Sequence, residues 1–136
     1  MIQVLGIAGV FLHATDPQRL AEWYARAFGL EFRSDIEHTY YLELWHRDDG
    51  DASRRWSTVF AIMPAKKPLA AERGEYMINY RVDDLIGLLA HLQALGVNTG
   101  GVEEQRDGRS PDSTGLFTRI EDPEGNQLEL YQPKDA

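Results

Sequence analysis

Two stretches of the chain repeat one alternation of apolar and polar positions. The first runs Val10, Phe11, Leu12, His13, Ala14, Thr15 and Asp16 as a short β-type segment. It then sets Leu20, Trp23, Tyr24, Ala27 and Phe28 at helical spacing and closes on Gly29. The second runs Ile78, Asn79, Tyr80, Arg81, Val82, Asp83 and Asp84, then Leu85, Leu88, Leu89, Leu92 and Leu95, and closes on Gly96. Apolar residues three and four apart line one stripe of a helix and leave a polar face. Asp16 and Asp84 stand where a carboxylate accepts the free N–H groups of a first helical turn. Pro17 suits that turn because its missing N–H costs nothing there. Gly29 and Gly96 stand where a left-handed residue ends a helix.

Each helix is followed by strand candidates. They are Leu30–Ile36, Thr39–His46 and Trp56–Met63 in the first half, and Val97–Val102, Leu116–Glu121 and Gln127–Tyr131 in the second. The order is β-α-β-β-β twice, an α+β architecture. A sheet with one apolar face needs a second layer to cover it, so neither half is expected to stand alone. The expectation is one domain over 1–136, with units at about 4–64 and 75–133 and a linker at 65–74. Asp122-Pro123-Glu124-Gly125-Asn126 has the Pro and Gly of a tight hairpin turn. Arg47–Arg55 reads as a longer and looser connection, and Glu103–Thr114 as a mobile polar loop.

Composition narrows the function. The 136 residues are 43% hydrophobic and 26% charged, as in ordinary globular proteins. A net charge of −8 opposes polyanions, so neither nucleic acid nor an anionic membrane is an expected partner. Without cysteine there is no disulfide, thiolate metal site or cysteine nucleophile. There is no Gly-rich phosphate loop, His-Glu-x-x-His helix or identifiable serine nucleophile motif. The start of the chain lacks the basic residues of a secretory signal, and no run of about 18 apolar residues occurs, so a cytoplasmic location is expected.

The doubled unit, the segment Tyr80-Arg81-Val82-Asp83-Asp84-Leu85 with Gly96, and the segment Asp122 to Asn126 followed by Gln127-Leu128-Glu129-Leu130-Tyr131 resemble the glyoxalase/bleomycin-resistance/dioxygenase (vicinal oxygen chelate) superfamily across nearly the whole chain. The resemblance implies two tandem βαβββ units whose curved mixed sheets form a cleft, often completed by a homodimer. It also implies a divalent metal, held in the family's enzymes by a His on the first strand and a Glu on the last strand of each unit. Such a metal binds adjacent substrate oxygens and stabilises the charge that develops on them.

Matching Arg81 to His13 and Asp84 to Asp16 puts the first-strand ligand positions at Gly9 and Met77. Matching Pro64 to Pro133 puts the last-strand positions at Phe60 and Glu129, so only Glu129 can serve. Zinc sites need about three protein ligands, and magnesium or calcium sites need several oxygens. No metal or other cofactor is therefore expected, unless His13, Glu43 or His46 builds a rearranged site. Glu129 is either a catalytic group or a structural partner of Arg81 or Asn79, because a buried carboxylate must be paired. The residues expected to bind ligand are Phe11, His13, Trp45, Phe60, Asn79, Arg81 and Tyr131. These features point to a metal-independent binder of a small neutral or cationic organic ligand. The alternative is a metal-dependent lyase, isomerase or ring-cleaving dioxygenase that uses a rearranged site or Glu129 as general base.

Overall fold

A computed structural model describes residues 5–70 and 73–134; residues 71 and 72 of the expected linker and position 4, the expected start of the first unit, lie outside them. The chain divides into two compact units, Met1–Leu69 and Ala70–Ala136. Each contains one four-stranded mixed sheet and one helix, giving an α+β fold of two tandem βαβββ units.

The first unit comprises β1 (Gly9–Ala14), α1 (Pro17–Phe28), β2 (Arg33–Ile36), β3 (Thr39–Arg47) and β4 (Arg55–Pro64). Its sheet order is β1-β4-β3-β2, with β1 parallel to β4 and the other pairs antiparallel. Asp16 caps α1 by accepting the Arg19 N–H at 3.1 Å, and Gly29 ends the helix at φ 68°, a conformation that costs glycine little. The helix buries Leu20, Tyr24 and Ala27, and one sheet face meets it with Leu12, Leu42, Phe60 and Ile62. Strand alternation sends Phe11, His13, Tyr41, Glu43, Trp45 and Ala61 to the other, helix-free face.

The second unit comprises β5 (Arg73–Arg81), α2 (Leu85–Ala94), β6 (Glu103–Arg106), β7 (Thr114–Glu121) and β8 (Asn126–Pro133), in sheet order β5-β8-β7-β6. Asp84 caps α2 by accepting the Gly87 N–H at 3.0 Å, and Gln132 Oε1 accepts the Leu85 N–H at 2.8 Å, fastening the helix start to β8. Leu85, Leu89 and Leu92 are buried, as are Leu128, Leu130 and Ile120 of the sheet, while Leu95 at the helix end is exposed.

Two expected strands move. Val97–Val102 forms no strand, and pairing begins at Glu103, inside the segment expected to be a loop. In the first unit only Arg33–Ile36 of Leu30–Ile36 pairs, and does so irregularly. Both β2 and β6 are edge strands whose residues are all exposed, so burial imposes no apolar alternation on them. The expected linker is also shorter at its end, because β5 starts at Arg73.

Candidate ligand-binding site

Glu129 lies at the centre of the helix-free face of the second sheet. Leu128 and Leu130 point to the helix side, so Glu129 and Tyr131 point the other way. The ladder sets Glu129 opposite Asn79 on β5 and opposite Arg119 on β7. Asn79 Nδ2 donates to Glu129 Oε1 at 2.9 Å, and Arg119 Nε approaches Oε2 at 3.4 Å. The carboxylate is 19% exposed and the guanidinium side chain 69%. Of the two partners expected for Glu129, Asn79 bonds to it. Arg81 does not: it stands opposite Tyr131, is exposed, and leaves the ion pair to Arg119.

Beside this pair lies a cavity of about 390 Å³, lined by Gly100, Gly101, Glu103, Gln105, Phe117, Thr118, Arg119 and Glu129. Thr118 Oγ1 donates to the Gly101 carbonyl at 3.1 Å, which holds the Gly100–Gly101 segment against β7. Phe117 is stacked on Tyr131, with ring centroids 4.9 Å apart and planes at 24°. Gly115 makes room for this arrangement, since a Cβ there would fall on the Tyr131 ring.

The Tyr131 hydroxyl donates to Asp107 Oδ2 at 2.6 Å, just beyond β6. Asp107 also accepts from Ser113 Oγ and from Arg109 Nε, and its side chain is only 2% exposed. Burial alone would raise its pKa. The hydrogen bonds from Ser113, Tyr131 and Arg109 outweigh burial and hold the carboxyl well below the usual carboxylate range. The same bond to Asp107 is the main reason the Tyr131 phenol is raised above its ordinary value. Arg109 further donates to the carbonyls of Thr114 and Lys134, so the segment expected to be mobile is tied to β7 and to the residue after β8.

In the first unit, Phe11, His13 and Trp45 lie exposed on the helix-free face. Phe60 does not join them. It is 3% exposed and packs edge-on against Tyr24 and Phe32, in the core under α1. The residue opposite Phe11 is Ala61, just as Glu129 is opposite Asn79, so matching Pro64 to Pro133 misplaced the position by one residue and therefore by one face.

The sequence reading missed Arg119, Glu103, Gln105 and Asp107. Arg119 was within reach: a tight turn at Asp122–Asn126 pairs Glu121 with Gln127, and two steps back along the hairpin pair Arg119 with Glu129. Glu103 and Gln105 were hidden by the absence of apolar alternation in β6.

A family model described as a glyoxalase-like domain matches residues 9–131. The chain belongs to this glyoxalase-like family, within the vicinal oxygen chelate superfamily. No curated protein sequence matches it. Among solved structures, the integron cassette protein VCH_CASS1 from the mobile metagenome of V. cholerae is similar with a TM-score of 0.71 at 13% identity, over 97% of this chain and 98% of the other. TnmS3, an antibiotic binding protein from Streptomyces sp. CB03234, gives 0.65 at 21% identity over 98% and 100%. The oxidase ChaP-H2 gives 0.66 at 15% over 96% and 94%. At these identities the likeness is one of fold.

The divalent metal that the glyoxalase-like family implies does not fit the residues present. Among the described residues no group of three His, Cys, Asp or Glu side chains is placed to hold an ion. Glu129 already accepts from an amide and faces a guanidinium. The rearranged set fails as well. Glu43 is paired to Arg33 at 2.6 Å, and His46, three residues further along β3, points to the opposite sheet face from Glu43.

Proposed function

We propose that this glyoxalase-like protein binds a small organic molecule without a divalent metal, in the cavity beside Glu129. The observation that carries this reading is the combination, in one cavity of about 390 Å³, of an aromatic wall at Phe117 with a few convergent polar groups at Glu103, Gln105, Arg119 and Glu129. That volume falls in the range of small-molecule sites, and its lining is more polar than most. The antibiotic binding of TnmS3 supports a ligand-holding use of the same fold. Asn79 and Tyr131, expected to bind ligand, stand behind the cavity lining, Asn79 orienting Glu129 and Tyr131 backing Phe117. Asp107 holds Tyr131 in position and so shapes the wall from behind.

Prodan, a neutral naphthalene dye whose emission shifts on leaving water, is a suitable probe. The expected result is saturable binding of one dye per chain that is unchanged by EDTA. Phe117→Ala should weaken it by about 1 kcal/mol, roughly five-fold, the size of an aromatic contact. Binding that vanishes with EDTA, or that ignores Phe117→Ala, would contradict the proposal.

A further inference from the structure

We infer that the preferred occupant of this cavity is a planar aromatic cation, whose charge takes the place of Arg119 beside Glu129; the inference rests on reading the cavity as a ligand site. Charge is the first reason. The wall carries the carboxylates of Glu103 and Glu129 against the single guanidinium of Arg119. The site is therefore negative, and more so when Arg119 turns away.

The second reason is the unequal hold on the two oxygens of Glu129. Asn79 bonds Oε1 at 2.9 Å, whereas Oε2 meets only one nitrogen of Arg119, at 3.4 Å. That exceeds the usual length of a charge-assisted N–H···O bond and lacks the paired geometry that makes arginine–carboxylate contacts strong. The anion is 19% exposed and fixed in the wall, while the cation is 69% exposed and reaches in from solvent. Exposed ion pairs of this kind are weakly held, so Arg119 is an exchangeable placeholder.

The third reason is Phe117. Its ring lines the same cavity and is backed by Tyr131. The negative face of an aromatic ring attracts a cation. A delocalised ring cation meets both the ring and the carboxylate. An anion would meet Glu103 and Glu129, and a neutral aromatic would leave Glu129 paired with Arg119.

The test is displacement of bound prodan by N-methylquinolinium and by its neutral isostere 1-methylnaphthalene, on the full chain and on Glu129→Gln and Arg119→Gln. In the unaltered protein the cation should displace the dye at a concentration about ten-fold below that of the neutral compound, a preference that shrinks with added salt. Glu129→Gln should abolish the preference. Arg119→Gln should tighten the cation roughly three- to ten-fold relative to the neutral compound, because it removes a competitor. The ratio of the two displacing concentrations is read within each variant, so a change in its dye affinity cancels. Equal displacement by the two compounds, or a cation weakened by Arg119→Gln, overturns the inference while the cavity reading stands. Absence of saturable prodan binding in the unaltered protein removes both.

Discussion

Asp107 shows how much one side chain can organise. Its carboxylate is almost fully shielded, yet it accepts from Ser113, Arg109 and Tyr131. Its folded-state pKa is depressed, so its contribution to stability is complete above the unfolded carboxylate value of about 4 and is lost as pH falls toward the folded value. Asp107→Asn should therefore lower the melting temperature by several degrees at pH 7, and the gap from the unaltered protein should narrow toward pH 3. Melting curves across that range check this, and a gap equally wide at both ends would refute it. Tyr131, whose pKa is raised, contributes in the opposite sense: its share is present below about pH 10 and is lost as pH rises through the folded value. Gly115→Ala should cost about 1–3 kcal/mol in urea unfolding, because the new methyl group meets the Tyr131 ring and the Gln132 carbonyl. None of this was legible in sequence. Asp107 and Tyr131 are 24 residues apart, and a polar loop has no period to reveal such a pairing.

At the scale of elements, legibility followed burial. Both helices, their Asp caps and Gly29 were readable because α1 and α2 press an apolar stripe on a sheet and must satisfy their first N–H groups. The edge strands β2 and β6 were not readable, because neither buries a face. The β7–β8 hairpin was located by Pro123 and Gly125, but Asp122 does more than its place in a turn suggests. It is 4% exposed, and it accepts the N–H groups of Glu124 and Asn126 at 2.9 and 3.0 Å and the Asn126 side-chain amide at 2.7 Å. Gly125, at φ 85°, completes the turn in a conformation that side chains disfavour. Asp122→Ala should cost about 1–2 kcal/mol in urea unfolding by leaving half-buried N–H groups without their carboxylate. It should also speed amide exchange in the ladder that aligns Arg119 with Glu129. Slow exchange in the variant would mean that the strands set their own register.

For the molecule as a whole, the doubled unit made both the architecture and the question of metal ligands readable. Laying one copy on the other left Glu129 as the lone surviving ligand type. The one-residue slip that put Phe60 on the wrong face did not alter that outcome, because Ala61 binds metal no better than Phe60. What the overlay could not supply was the surrounding of Glu129, since Arg119 and Asn79 come from different strands and meet it only through the sheet. Among the described residues no helix is long and apolar enough to cross a membrane. The binding proposed here needs no divalent metal. The most direct measurement is the metal content of the purified full chain after dialysis against zinc, manganese, nickel and iron(II) followed by gel filtration. Far less than one metal per chain is expected, with prodan binding intact in the same sample. A stoichiometric divalent metal whose removal abolishes binding would contradict it.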